Sequence, residues 1–267
     1  MNMIRNNREK STLSGKVPDS LQAWFFPLAV LLLWQAAGAF GVLSPSLLPT
    51  PLEIGRQFIK LAESGRLLTH LEASVLRAAA GFALGGSLAL IIGLATGLSR
   101  HLEELLDPSL QMMRTVPLLS IIPLFILWFG VGQLSQVLLI ALGAFFPLYV
   151  NTFAGVRGVD RKLYEVAQIL EYSRLQQVLR LIIPSALPNI LLGIRLSLGV
   201  AWLCLVVAEM MGASSGIGYM IAEARQYSQT AAVFVGIGIF AAVGKLSDSL
   251  VRLLESRLLR WREAYKG

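Results

Sequence analysis

Six apolar runs, each close to the length of a membrane-crossing helix, constrain the fold of this 267-residue chain more than any other feature. A helix of about 20 apolar residues crosses the hydrocarbon core of a bilayer. The chain is 55% hydrophobic and only 15% charged, whereas soluble domains carry about 25% charged residues. The sequence therefore predicts an all-α, polytopic membrane bundle with six transmembrane spans. They are expected near Ala23–Leu43, Ser74–Leu98, Ser109–Phe129, Ser135–Gly155, Leu187–Met211 and Ala231–Leu250.

The distribution of positive charge predicts the orientation of these spans. The net charge is +7, and in a chain this apolar a basic excess is typical of positive cytoplasmic loops rather than of a nucleic-acid-binding surface. With the N-terminus inside, the inside segments hold 16 Lys and Arg residues and the outside segments hold four. We therefore expect a cytoplasmic segment over 1–22, a six-span domain over 23–250, and a basic cytoplasmic tail over 251–267 beside anionic lipid headgroups.

Small residues recur every four positions in the second run, and this spacing places them along one helix face. They are Gly81, Gly85, Ala89, Gly93 and Gly97. Such faces let helix backbones approach each other closely in lipid. We expect this face to pack against another helix of the same bundle, and the alternative is an interface between two subunits.

The third run contains two prolines, Pro117 and Pro123, which are expected to kink it. Backbone groups freed at membrane depth need partners or a wet cavity, so this run is a candidate lining of a translocation path, unless neighbouring helices absorb the kink. Charges at membrane depth are costly and normally face water or a partner. Arg114, Arg195 and Glu209 are therefore further candidates for the path. The alternative for the arginines is snorkelling or structural pairing, and for Glu209 it is an interfacial position.

The polar segment between the fourth and fifth runs, which ends at Pro184, has a helical pattern. Asp160 is a candidate N-cap, and Ser173 with Gln176 forms an S-x-x-Q capping box for a second helix. Apolar residues follow each cap at positions i, i+3, i+4 and i+7. The two stripes are Leu163, Val166, Ala167 and Leu170, then Leu175, Val178, Leu179 and Ile182.

This pattern predicts two short amphipathic helices outside the membrane over 156–184, with Pro184 marking the passage into the fifth span. An amphipathic helix needs a surface that covers its apolar stripe. The bilayer, the spans of the chain itself or a groove of another protein would each serve, and periodicity does not choose among them.

The same segment resembles a motif that identifies the membrane subunits of binding-protein-dependent ABC importers. The motif reads E-A-A, three residues, Gly, nine residues, then I-x-L-P. In this chain its positions are occupied, at the correct spacing, by Glu165, Val166, Ala167, Glu171, Leu181, Ile183 and Pro184. The resemblance implies that the first short helix fits a cleft on a cytoplasmic ATPase and transmits ATP-driven closure to the spans.

Glu171 departs from the motif, which has Gly at this position. A Gly there suits a left-handed conformation that ends the first helix, and Glu in that conformation costs about 1 kcal/mol. Either the turn is built differently in this chain or its coupling to the ATPase is weakened.

The resemblance extends over roughly Leu47 to Arg262 and is greatest to the branch that carries nitrate, sulfonate, taurine and bicarbonate, above all to aliphatic sulfonate permeases. It rests on Arg114-Thr115-Val116-Pro117, Pro123-Leu124, Leu127-Trp128-Phe129-Gly130, Phe145-Phe146-Pro147, Asn151-Thr152 and Ser215-Gly216-Ile217-Gly218-Tyr219. It implies the type I ABC importer permease fold in a bacterial cytoplasmic membrane. The implied partners are a second copy of the chain, two ATPase subunits and one extracytoplasmic binding protein that delivers a small anion.

The sequence itself contains no site for ATP chemistry. The segment most similar to a P-loop, GIFAAVGKL from Gly238 to Leu246, has the wrong spacing and Leu where Ser or Thr is required. ATP and magnesium are therefore expected in the partner ATPase, and no cofactor or metal is expected on this chain. The two histidines, His70 and His101, fall on opposite sides of the membrane, which argues against an intramembrane enzyme. A secondary transporter or channel is the other alternative, although it leaves the helical loop unexplained.

Overall fold

The computed structural model of the chain describes the backbone of residues 19–263 and the side chains of residues 25–261. Most of the expected N-terminal segment 1–22 and the end of the tail 251–267 therefore lie outside the described residues. The helices are α1 (Asp19–Ala39), α2 (Pro51–Glu63), α3 (Arg66–Leu98), α4 (Arg100–Arg114), α5 (Ile122–Phe129), α6 (Gln133–Arg157), α7 (Arg161–Ile169), α8 (Arg174–Gln177), α9 (Ile183–Gly212), α10 (Ile217–Gln226), α11 (Thr230–Leu258) and α12 (Arg260–Glu263). All regular structure in the described part of the chain is helical.

The described residues up to Glu53 form a unit of their own. Its helix α1 is apolar over Phe25–Ala39 and exposes large apolar side chains, as a lipid-facing helix does. The backbone N–H of Leu52 donates a hydrogen bond to Gln35 Oε1 at 3.1 Å. At the start of α2, Thr50 and Glu53 exchange side-chain to backbone hydrogen bonds of 2.8 and 3.3 Å, so the helix begins with a capping box.

Four helices of the described chain are long and apolar enough to cross a membrane. They are α3, α6, the continuous helix Arg174–Gly212 that contains α9, and α11. The pair α4 and α5 passes the same test together, although its halves are bent by 87°. The described residues therefore give four crossings, or five with the bent pair, and the remaining predicted span, Ala23–Leu43, corresponds to the shorter apolar part of α1.

The third predicted span, Ser109–Phe129, is a broken helix rather than a kinked one. A turn of 3₁₀-helix, Leu118–Ile121, separates α4 from α5, and Pro117 is its N-terminal cap. Pro123 lies in the first turn of α5. The N–H groups of a first turn have no partner within the helix, so a proline there removes no helical hydrogen bond and causes no kink. The kink expected at Pro123 was therefore wrong.

The glycine stripe of α3 packs against α6. A Cβ atom added to Gly81 would meet Ile140, and one added to Gly85 would meet Ala141. Farther along α3, a Cβ atom added to Gly93 would meet Thr152, and one added to Gly97 would meet Val156. Both series of residue numbers rise together, so α3 and α6 run parallel. The predicted stripe thus lies inside one chain, where it allows the two backbones to approach.

Helix α9 runs antiparallel to α6. Gly155, near the end of α6, lies against Asn189, near the start of α9, whereas Gly143 lies against Cys204 farther along α9. The chain therefore leaves α6 and enters α9 at the same end of the bundle, which we call the loop end. The opposite end, where α9 ends at Gly212, is called the cluster end.

The segment between α3 and α6 returns the chain from one end of the bundle to the other. Because α3 and α6 are parallel, the chain leaves α3 at the loop end and enters α6 at the cluster end. Glu103 of α4 forms an ion pair with Arg157 at the loop end, and Val131, after α5, lies against Gly212 at the cluster end. The bent pair therefore makes one crossing that is interrupted at the 3₁₀ turn.

Candidate functional site

The loop that contains the importer-like motif begins with α7 and a tight turn. Asp160 accepts a hydrogen bond from the N–H of Lys162 at 2.9 Å, which confirms it as the N-cap. At the other end, the N–H of Glu171 donates to Gln168 O and the N–H of Tyr172 donates to Ala167 O, each at 3.0 Å. These two bonds define a Schellman motif.

Glu171 adopts the left-handed conformation in this turn, with φ of 53°. The turn is therefore built in the way that suits the Gly of the motif, although a side chain is present. The side chain of Glu171 is exposed, and its left-handed backbone conformation costs about 1 kcal/mol. The explanation that the turn is built differently at Glu171 is therefore wrong, and weakened coupling to the ATPase stays a prediction.

The second loop helix is continuous with α9. Ser173 and Gln176 form the predicted capping box, but the helix continues through a π turn, Val178–Ile182, into α9. A proline ring collides with the carbonyl four residues earlier in a regular α-helix. The wider turn before Pro184 relieves that collision, so Pro184 marks the passage into the fifth span without a break, and the second loop helix is longer than the short helix that was expected.

The loop exposes apolar side chains, which we call the docking surface. Its members are Leu163, Val166, Ile169, Leu170, Leu175 and Leu179. Ile169 is the most exposed, at 79%. Ala167 and Ile182 of the predicted stripes are buried within the chain, and among the other motif residues Glu165 is exposed and Leu181, Ile183 and Pro184 are half-buried. Several large exposed apolar side chains on one short loop are typical of a protein–protein or membrane interaction site.

Helix α4, the first half of the broken span, contacts α6 close to the start of this loop. None of its residues is buried. Two polar contacts tie it to α6: the ion pair of Glu103 with Arg157, and a hydrogen bond of 2.7 Å that the Tyr149 hydroxyl donates to Asp107. Arg157 is the last residue of α6, three residues before the N-cap of α7. Arg157 therefore ties the start of the loop to α4.

A cavity of about 370 Å³ lies where α4 ends. It contains Arg114 and Pro117 of the predicted path, but not Pro123, Arg195 or Glu209. Its lining is formed by Met113, Arg114, Thr115, Val116, Pro117, Leu118, Ile121, Leu142, Gly143, Phe146, Pro147 and Val200. Because residues 142–147 are the middle of α6, the cavity lies at about half the depth of the bundle.

Glu209 lies in a buried polar cluster at the cluster end. Its carboxylate accepts hydrogen bonds from Arg77 Nη1 and Ser74 Oγ, both at 2.8 Å, and from the N–H of Gly218 at 2.9 Å. Arg77 also donates to the carbonyl and hydroxyl oxygens of Ser215 at 2.7 and 2.8 Å. Glu209 is thus engaged with partners in this conformation, and its place on the path stays a prediction.

The polar cluster fixes the turn between α9 and α10. Gly216 donates its N–H to His70 Nδ1 at 3.1 Å, and Ile217 donates to Ser74 Oγ at 2.8 Å. Gly216 has a φ of 117°, and a Cβ atom there would collide with the Glu209 carboxylate. Only glycine satisfies both constraints, so the cluster and the turn require each other.

Arg195 is paired with an acidic residue of α11. Its Nε lies 2.5 Å from Asp248 Oδ1, and Asp248 Oδ2 lies 2.9 Å from Arg252 Nε. Beside this pair, Trp202 Nε1 donates to Ser247 Oγ at 3.1 Å. Pairing between α9 and α11 was the alternative interpretation of Arg195, and its role on a path stays a prediction.

A bundle of membrane-length helices, with a cavity at a broken span and an exposed helical loop for a partner, is typical of a membrane transport subunit. The chain belongs to the family described as "Binding-protein-dependent transport system inner membrane component", whose profile matches residues 85–260. It is therefore a membrane-embedded permease of an ABC transporter, and family components of this kind are not themselves enzymes. The resemblance read from the loop is confirmed.

Relatives match nearly the whole chain. It is 59% identical over 247 residues to the putative aliphatic sulfonates transport permease protein SsuC of Bacillus subtilis, with 92% of this chain and 90% of that protein covered. It is 47% identical to the protein of the same name from Escherichia coli, with 91% and 92% covered. It is 36% identical to the taurine transport system permease protein TauC of Escherichia coli, with 88% and 87% covered.

Sequence reasoning missed the contacts that join the site residues. Arg77 and Glu209 are charged residues within apolar runs of the sequence. Their opposite charges, at a similar depth in the predicted membrane, are the signal that could have predicted an ion pair. Glu103 and Arg157 lay in segments assigned as loops, so nothing in the periodicity placed them together. Thr115 and Val200 line the cavity, but their residue types carry no signal of it.

Proposed function

We propose that this chain is the membrane-spanning subunit of an ABC importer that moves an aliphatic sulfonate across the bacterial cytoplasmic membrane, using ATP hydrolysed by a partner subunit. The observation that carries the proposal is the docking surface, exposed on a loop with the importer motif and its Schellman turn. The sulfonate relatives support the substrate. A taurine relative favours taurine as the second candidate, and nitrate or another small anion would use the same machinery.

The proposed topology has six crossings with both termini in the cytoplasm. The parallel arrangement of α3 and α6 supports a full crossing by α4 and α5, and α1 supplies the remaining crossing. The loop end then faces the cytoplasm, in agreement with the excess of Lys and Arg in the inside segments. The cluster end faces the extracytoplasmic binding protein.

The proposed assembly contains two copies of this chain, two ATPase subunits and one binding protein. Each copy presents one docking surface, and two ATPases that close on ATP and magnesium draw the two surfaces together. Glu103 and Arg157 transmit this movement to α4, whose last residue, Arg114, lines the cavity. The broken span then opens or closes the path for an anion that passes Arg114, with Pro117 at the break. Arg195 and Glu209 are further candidates along this path.

The test is purification of the tagged chain from its native host in mild detergent, followed by mass spectrometry and ATP-driven uptake in proteoliposomes. We expect a P-loop ATPase in stoichiometric amount and uptake of a sulfonate delivered by the binding protein. Glu165→Arg, at an exposed position, should abolish co-purification of the ATPase and ATP-driven uptake without affecting membrane insertion. Recovery of the chain alone, also after cross-linking through the loop, together with ATP-independent uptake would refute the proposal in favour of a secondary transporter.

A further inference from the structure

We infer that the cavity beside the α4–α5 break binds one small organic anion that has an apolar tail and lacks an amino group. The inference rests on the proposed function and deepens it, because it gives the permease, and not only the binding protein, a selection among anions. The site comprises Arg114 and Thr115 at the break, Leu142 and Phe146 of α6, and Val200 of α9.

The charge of the cavity favours an anion. Arg114 is the charged residue of its lining, and none of the lining residues, all of which the structure describes, is acidic. Among the ion pairs of the described chain, Arg77 and Arg195 each have a carboxylate partner, whereas Arg114 has none. The guanidinium at the cavity is therefore available to an external oxyanion, which its planar fork of donors matches.

The break in the helix lies at the same place, because Leu118, the first residue of the 3₁₀ turn, lines the cavity. Transporters commonly hold charged substrates at interrupted helices near the midplane of the membrane. The head group of the anion is therefore assigned to the side of the cavity formed by Arg114 and the break.

The rest of the wall suits an alkyl tail. Leu142, Phe146 and Val200 face the cavity from α6 and α9, and apolar surface removed from water there is stabilising in proportion to its area. An ammonium group would lose its hydration without gaining an acidic partner, which is costly. The cavity therefore favours a simple alkanesulfonate over an aminosulfonate such as taurine.

The volume of the cavity limits the size of the ligand. Pockets for small molecules measure about 300–1,000 Å³, and this one, at about 370 Å³, is near the lower limit. One small anion therefore fits beside Arg114, whose side chain is exposed.

The test compares ATP-driven uptake of butanesulfonate and taurine by the complete transporter in proteoliposomes, with one binding protein used for all variants. Arg114→Gln should lower butanesulfonate uptake about tenfold, the usual effect of losing a charge-assisted hydrogen bond, and Arg114→Lys should retain most of it. Val200→Glu adds the missing acid and should raise the taurine to butanesulfonate ratio about tenfold, the effect of about 1.4 kcal/mol. A gain for taurine does not arise from misfolding.

Arg56→Gln, which removes an exposed arginine of α2 outside the cavity, is the matched control and should leave both rates unchanged. Wild-type uptake of butanesulfonate by Arg114→Gln would overturn the cavity site while the proposed function stands. An unchanged ratio in an active Val200→Glu variant would also overturn it. If Val200→Glu does not fold, the Arg114 variants decide the question. Absence of ATP-driven uptake in the unmodified transporter would instead refute the proposed function.

Discussion

The two ends of the bundle differ in which side chains they bury: charged side chains are buried at one end, and apolar side chains are exposed at the other. At the cluster end, Arg77 and Glu209 are buried and paired, while at the loop end Ile169 and Leu175 are apolar and exposed. A buried ion pair holds one geometry, because breaking it leaves a charge without a partner. Exposed apolar side chains that lie close together are typical of protein–protein or membrane interaction sites. The cluster end is thus held together by contacts within the chain, and we propose that a partner protein covers the apolar side chains of the loop end.

The largest effect is expected from breaking the cluster end. Glu209→Ala leaves Arg77 buried without its carboxylate, so the free energy of unfolding should fall by about 3–5 kcal/mol. The apparent unfolding temperature in mild detergent, followed by tryptophan fluorescence, measures the loss. The matched control is Glu223→Ala, which breaks the ion pair with half-exposed Arg66 and should cost no more than about 1 kcal/mol.

Equal unfolding temperatures for the Glu209 and Glu223 variants would show that the cluster does not anchor the fold. At low temperature, where the Glu209→Ala protein remains folded, it should still bind the ATPase, because the docking surface lies at the other end. Loss of ATPase binding by the folded variant would remove the distinction between the two ends.

The next largest effect is expected on the affinity of the chain for the ATPase, with the stability of the fold unchanged. Ile169→Asp places a charge in the docking surface and should weaken ATPase binding by about 30-fold, which corresponds to about 2 kcal/mol for a central interface residue. Ile169→Met keeps the side chain apolar and should bind like the wild type. Co-purification at graded ATPase concentrations measures the affinity. Tight binding by Ile169→Asp would mean that another part of the chain docks the ATPase.

Ala167 is less suitable for this test than its place in the motif suggests. It is 2% exposed, so a large side chain there would disturb the packing of α7 as well as its docking. Ile169 lies outside the motif positions but is far more exposed. The choice between them illustrates why exposure, which only the structure gives, decides how a motif residue is tested.

A smaller effect is expected at the link between the loop and α4. Glu103→Arg and Arg157→Glu each place like charges together and should lower ATP-driven uptake several-fold, while the ATPase still co-purifies. The double variant restores opposite charges and should recover most of the uptake. Both side chains are partly exposed, so the pair adds little stability and its effect belongs to transmission. Uptake that is equal in all three variants would exclude this route.

The parts of the fold that were predictable are those that follow from local patterns. Runs of apolar residues gave α3, α6, α9 and α11, and the spacing of caps gave the turns around Asp160 and Ser173. The EAA-like spacing placed the candidate site on the loop. These features depend on residues a few positions apart, which a sequence shows directly.

The parts that were not predictable depend on distant residues or on the position of a residue within a turn. Arg77 and Glu209 are 132 positions apart, and only the packing of α3 against α9 brings them together. Pro123 was expected to kink the third span and Pro184 to mark the passage into the fifth, but one lies in a first helical turn and the other follows a π turn, where the helix accommodates proline. The cavity at Arg114 arises from three helices that no local pattern relates.

The smallest effect is expected on stability, from substitutions in two Schellman turns, one at the loop end and one at the cluster end of the bundle. Ser228 follows α10 with φ of 56°, and its Schellman bonds, from Ser228 N–H to Arg225 O and from Gln229 N–H to Ala224 O, match those at Glu171. Glu171→Gly and Ser228→Gly should each stabilise the protein by less than about 1 kcal/mol, because relief of the left-handed conformation is partly offset by the greater freedom of glycine in the unfolded chain. Glu171→Ala removes the charge but keeps the Cβ atom, and should give no gain. Since the turn at Glu171 is already formed, ATPase affinity should be the same for wild type, Glu171→Gly and Ser228→Gly; a change confined to the two Glu171 variants would show that the carboxylate itself contacts the ATPase.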